Sequence, residues 1–174
     1  MNEDDEIYKR IGEFVVSFQW IENKLREIGW FILDPSREDW PPKGLRNLSN
    51  QKLIDKVHAL FIEAITKCNL PEDLENEFKE SFSVYVTSMH KFRKDRNRIL
   101  HSAFIELKGG GEVQGLIRSN PKLQMDEETG ESLFDQEILT GSSFEKEMKQ
   151  MAEADLFLNR AYMQLIHRYQ NYNA

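Results

Sequence analysis

Cysteine is nearly absent: Cys68 is the only one in 174 residues. That excludes an intrachain disulfide framework and any cysteine-built zinc site, and it fits a reducing, cytoplasmic setting. Basic charge is in deficit, with 23 Lys and Arg against 30 Asp and Glu and a formal net charge of -7. A protein that binds nucleic acid over its whole surface is excluded; a local basic site on an acidic body is not. Long apolar runs are missing too. Every stretch is broken by Glu, Lys or Arg well short of the roughly 18 residues that a membrane span needs, so no membrane association is expected. The opening MNEDDE is acidic and reads as neither signal nor transit peptide. No internal repeat, nucleotide-binding glycine loop, HExxH or GxSxG occurs, and His58, His90 and His167 lack partners at metal-ligand spacing. No metal or cofactor is expected.

What is present is a globular composition, 40% hydrophobic and 30% charged, of one-domain size (1–174). Three long helical patterns come first. From Asp4 to Leu33 the apolar residues Ile7, Ile11, Phe14, Val15, Phe18, Ile21, Leu25, Ile28 and Ile32 recur at steps of three and four, opposite a face carrying Glu13, Glu22, Lys24, Arg26 and Glu27. Asp34-Pro35 ends that helix. A second helix is expected from an N-cap at Ser49 to about Cys68, with Leu53, Ile54, Val57, Leu60, Phe61, Ala64 and Ile65 as its stripe. Pro71 then opens a third, in which Leu74, Phe78, Phe82, Tyr85, Met89 and Phe92 form the stripe. Carried on, the same spacing reaches Arg96 and then Ile99, so an arginine falls in register with the buried face.

After His101 the period changes. Residues 103–108 and 112–118 flank Gly109-Gly110-Gly111, which reads as a β-hairpin. Residues 119–141, with Pro121, Gly130 and Gly141, are expected as loop or one further short strand. The last helix is predicted to start at Ser142 with Glu145 completing a capping box, and its stripe is Phe144, Met148, Met151, Leu158, Tyr162, Leu165 and Tyr169. The expected fold is mainly α: an up-and-down helical bundle with a small β-hairpin insertion, about 103–141, before the last helix.

The densest chemistry lies between Lys91 and His101. Five basic residues (Lys91, Arg93, Lys94, Arg96, Arg98) and one acid, Asp95, reverse the sign of the chain locally. By itself such a run is a solvated helix end, favoured by the helix dipole. The particular residues say more. Arg96, Asn97 and His101 put a permanent cation, an amide and a titratable imidazole within six residues. Arg holds phosphate through two parallel hydrogen bonds, and His moves protons near neutral pH. Together they suit phosphodiester cleavage without a metal. On a straight helix five residues turn through about 140°, so Arg96 and His101 do not share a face. Either the helix ends or bends between them, or a second copy of the chain completes the site.

Arg96-Asn97-Arg98-Ile99-Leu100-His101 resembles the R-x4-6-H signature of the HEPN superfamily in its Arg-Asn-x-x-x-His form. Residues 11–26 are similar to first helices of bacterial HEPN proteins, and His101-Ser102 before a strand-like segment is similar to several of them. The resemblance covers about two thirds of the chain and leaves 105–141 unassigned. It implies a helical bundle that pairs as a homodimer, joins two motifs in one composite cleft, and cleaves RNA without metal in toxin–antitoxin, abortive-infection or CRISPR-associated defence. His101 would then be the acid/base group, Arg96 the phosphate holder and Asn97 the residue that orients them. RNA would be the substrate, and an antitoxin or regulator a possible partner. Products would carry 2',3'-cyclic or 3'-phosphate. HEPN toxins controlled by a nucleotidyltransferase carry a Tyr two residues after the His; Ala103 stands there, which argues against that control.

Other residues leave two readings each. Arg93, Lys94 and Arg98 track RNA phosphates or are plain surface charge. Glu22 pairs with Arg96 or is a surface acid. Trp20, Trp30 and Trp40 are candidates to stack bases, and Trp20 and Trp30, off the main stripe, equally fit a contact between subunits. Cys68 reads as structural. Against the nuclease stand two rivals: a non-catalytic dimer of the same fold that binds RNA or protein, and a structural module with Arg96 in an ion pair across a dimer seam.

Overall fold

The computed structural model describes residues 3–38, 42–110, 112–120, 124–125, 132–133 and 135–168. Trp40, Gly111, Pro121, Gly130 and Tyr169 lie outside them. The chain is mainly helical with a small antiparallel sheet. Its elements are α1 (Glu3–Leu33), α2 (Asn50–Thr66), α3 (Glu72–Leu100), β1 (Ala103–Gly109), β2 (Glu112–Ser119), β3 (Gln124–Met125), β4 (Ser132–Leu133), β5 (Gln136–Leu139) and α4 (Glu145–Arg168). The contacts divide into two compact units, and α1, α3 and α4 each contribute one end to each of them.

One unit comprises Ser17–Arg93 and α4 from Lys149 onward. The apolar stripes pack there as their spacing requires: Phe18, Ile21, Leu25 and Ile28 of α1, Leu53, Val57 and Phe61 of α2, Phe78 and Phe82 of α3, and Leu158 and Leu165 of α4 are all at most 2% exposed. Ser49 caps α2 as expected, its hydroxyl accepting from the Lys52 N–H at 3.4 Å. Phe61 meets Phe78 and Phe82, and His90 meets Asp55, so α2 and α3 are antiparallel neighbours. Tyr85 stacks on Phe157 while Glu77 meets Arg160, so α3 and α4 are antiparallel as well.

The order is nevertheless not the up-and-down succession suggested by the stripes. Trp20, Asn23 and Lys24 line one cleft with Asp155 and Asn159, and Phe31 packs against Tyr162, so α1 and α4 run in the same direction. Leu45, in the segment before α2, lies back against the middle of α1. Leu45 is 1% exposed beside Gly29, where an added Cβ would meet its Cδ1 at 2.8 Å, and Arg26 donates to the Leu45 carbonyl at 3.1 Å. A side chain at Gly29 would force Leu45 to shift.

The other unit joins the start of α1, up to Val16, to Lys94–Met148. β1 and β2 form the expected hairpin, with Gly110 at φ +63° in the turn, a conformation that glycine adopts without cost. The insertion is more than a hairpin. β5 adds to β2 as a third strand, in the order β1-β2-β5, and β3 and β4 pair separately. Alternation sorts the sheet's residues. Leu116, Arg118 and Leu139 point inward and are at most 1% exposed, whereas Ile105 and Ile138, flanking Ile117, are 55% and 61% exposed. Tyr8 of α1 donates to the Glu106 carboxylate and Arg10 to the Gly141 carbonyl, both at 2.9 Å.

α4 begins three residues later than its sequence suggests, and the Ser142/Glu145 capping box does not form among the described residues. Phe144 is the reason. It is 9% exposed, packs its ring 4.7 Å from Phe14, and takes φ +69° to do so; the Met148 N–H then bonds to its carbonyl. Burying an aromatic ring outweighs the cap at Ser142.

Candidate functional site

α3 remains helical to Leu100, and the His101 N–H still bonds to the Asn97 carbonyl at 3.1 Å. No bend intervenes between Arg96 and His101, so about 140° still separates their directions. Within one chain, Arg96 and Asn97 are brought together: an Nη1 of Arg96 donates to the Asn97 Oδ1 at 3.1 Å. His101 is not brought to them. Its side chain is exposed, in the turn that follows the helix.

Arg96 is half-buried, in register with the buried Phe92 and Ile99. Its Nε is buried without a hydrogen-bond partner, and among the described residues no carboxylate pairs with its guanidinium. Lys94 is exposed and likewise has no acidic partner among the described residues. Arg93 belongs to the other unit, half-buried, with its own Nε unpartnered.

Arg98 differs. Its guanidinium sits 3.6 Å from Asp95 and 3.4 Å from Glu137, so its charge is largely answered inside the protein. Glu22 pairs with Arg26 at 2.9 Å. Trp20 is 62% exposed, while Trp30 lies under the Arg37 guanidinium and donates to Asp34. Cys68 is buried, donates to the Ala64 carbonyl, and burial pushes its thiol pKa up, which makes it a poor nucleophile. Among the described residues no three His, Cys, Asp or Glu side chains converge as a metal site would require, and no helix is long and apolar enough to cross a membrane.

One cluster escaped sequence reasoning. Arg118, on the inner face of β2, is 0% exposed. Its guanidinium forks onto both oxygens of Asp135, donates through Nε to Glu137 at 3.2 Å, and donates to the Ser102 hydroxyl at 3.0 Å. Ser102 in turn donates to the Arg98 carbonyl at 2.5 Å. Hydrogen bonding to Arg118 holds the Asp135 carboxyl below its ordinary pKa, and hydrogen bonding to Asp135 first, then Glu137, raises that of Arg118. Both partners are therefore charged. The available signal was alternation: Arg118 shares its face with Leu116, an inward position that a cation occupies only when paired.

The candidate site thus consists of a cation with no carboxylate partner among the described residues, an amide in contact with it, an exposed imidazole one turn further on, and an ion cluster bonded to that turn through Ser102. Set beside known proteins, the chain matches no family model, no curated protein and no solved structure, and the functional reading rests on these residues.

Proposed function

We propose that the protein is a metal-independent endoribonuclease whose site is Arg96, Asn97 and His101, completed by a second copy of the chain. The observation that carries the reading is the state of Arg96. In a chain of net charge -7, a half-buried guanidinium with no carboxylate partner among the described residues is costly unless an anion from outside answers it. A phosphodiester is such an anion, and the Arg fork matches two of its oxygens. Asn97, bonded to Arg96, holds the fork in place.

The chemistry follows from RNA itself. One imidazole takes the proton from the ribose 2'-hydroxyl as its oxygen forms a bond to phosphorus. The bond from phosphorus to the 5'-oxygen breaks, and that oxygen takes a proton from a second, protonated imidazole. Arg96 stabilises the charge gathered on the phosphoryl oxygens in the transition state. Two copies of His101 supply one base and one acid. Because Arg96 and His101 leave α3 in different directions, at a phosphate held by Arg96 at least one of these two imidazoles comes from the partner chain. Lys94 adds a point charge to the RNA backbone. The resemblance to HEPN ribonucleases favours a role in a toxin or antiviral defence system, with an antitoxin or regulator as a further partner.

The separation of Arg96 from His101 also favours a second reading, a non-catalytic dimer that binds RNA through Arg96 and Lys94. Paired substrates distinguish the two. The nuclease cuts an RNA strand to 2',3'-cyclic phosphate ends and leaves the 2'-deoxy strand of the same sequence intact. A protein that binds RNA but yields no new ends is the binding module.

A further inference from the structure

Arg118 is the one charged residue that is fully buried among the described residues, and the proposed chemistry does not use it. Burying an arginine and answering it with two carboxylates is seldom more stabilising than an apolar side chain of similar volume. Its bonds indicate what else it does. They join three elements of one unit: β2 through Arg118, the segment before and within β5 through Asp135 and Glu137, and the end of α3 through Ser102. Ser102 sits directly after His101 and is held twice, by donating to the Arg98 carbonyl and accepting from Arg118. Glu137 is held from both sides, since it also meets Arg98 one turn back in α3.

His101 has no side-chain hydrogen bond of its own among the described residues. Its direction is therefore set by the backbone of the turn that carries it. That turn is fixed by the His101 N–H on Asn97, the Ser102 N–H on Ile99, and the Ser102 hydroxyl. Only the last of these reaches the sheet. We infer that Arg118 is a positioning residue for His101, acting through the Ser102 hydroxyl to fix the turn that aims the imidazole. The inference rests on the nuclease reading for its kinetic consequence, but not for its structural one.

The test compares Ser102→Ala, which loses the hydroxyl, with Ser102→Thr, which keeps it, in full-length protein at a temperature where circular dichroism shows both folded. Two readouts are taken: kcat and KM on an RNA strand, and the carbon–proton NMR signal of the His101 ring. Ala should lower kcat about tenfold or more with KM changed less than about twofold, since a misaimed group loses transition-state contact rather than binding. Thr should restore kcat to within about threefold. The His101 ring signal should move in the Ala variant and return in the Thr variant. A folded Ala variant with wild-type kcat and an unmoved ring signal overturns the inference. If Ala does not fold, Arg118→Lys decides by the same readouts, because it keeps the charge and loses the fork. If the wild type makes no cuts, the nuclease reading has failed, and the ring signal in Arg118→Lys decides whether Arg118 positions His101.

Discussion

Replacing Arg118 with Ala should cost about 3 kcal/mol of stability. Breaking a buried pair by removing one partner costs about 3–5 kcal/mol, because the remaining charge is left without its counter-ion. Here the groups that lose Arg118 are Asp135 and Glu137, whose side chains are 25% and 38% exposed, and Glu137 still meets Arg98 at 3.4 Å. Water replaces part of what they lose, which places the figure at the lower end of the range. In a chain of this size each kcal/mol shifts the melting temperature by about 2–4 °C, so the expected drop is roughly 6–12 °C. Glu77→Ala is the control. It removes an ion pair of comparable length, 2.8 Å to Arg160, but between side chains 55% and 50% exposed. Such pairs contribute about 0.2–1 kcal/mol, a shift of no more than roughly 4 °C. Thermal melts followed by circular dichroism decide. If Arg118→Ala melts within the range of the control, the cluster does not hold the sheet to the end of α3, and the argument from burial fails.

Asp135 and Lys94 carry two further predictions. The Asp135 carboxyl lies below its ordinary value of 3.8 in the folded protein, so its contribution is complete above that pH and disappears as pH falls through the folded value. Urea midpoints measured between pH 6 and pH 2.5 should drop more steeply below about pH 4 for the wild type than for Asp135→Asn; parallel curves would show that Asp135 does not supply this linkage. Lys94 has no internal acid among the described residues, while Arg98 has Asp95 and Glu137. Lys94→Ala should reduce the slope of log affinity against log salt for single-stranded RNA by about 0.7, and Arg98→Ala by less than half of that. Equal effects would mean that the internal ion pairs do not decide which cations reach RNA.

The helices were legible because burial imposes its period on the sequence. Most of the predicted stripe residues from Ile7 to Ile28, Leu53 to Ile65 and Phe78 to Phe92 are buried, while Ile11, Val15, Leu60 and Tyr85 lie half-buried at the stripe edges. Ser49 as a cap and Gly110 in a hairpin turn were readable because each needs a particular residue at one place. What stayed hidden depends on residues far apart in the chain. The start of α4 is set by Phe144 meeting Phe14, a contact across 130 residues that overrides a local cap signal. The shared direction of α1 and α4 shows only in contacts such as Phe31 on Tyr162, 131 positions apart. β5 is only four residues long, too short for alternation to stand out. The site divides in the same way. Arg96, Asn97 and His101 were visible as spacing, and so was the angle between Arg96 and His101, because α3 continues without a bend. The Arg118 cluster was not, since its carboxylates lie 17 and 19 positions along the chain, in a segment without periodicity.

The most direct test of the central claim is a cleavage assay on structured RNA in EDTA with the wild type and His101→Ala. Cutting by the wild type that survives EDTA, leaves 2',3'-cyclic phosphate ends and is lost in a folded His101→Ala variant is the predicted result. Cutting at the wild-type rate by His101→Ala, or none by either protein while both bind the RNA, would contradict the nuclease reading.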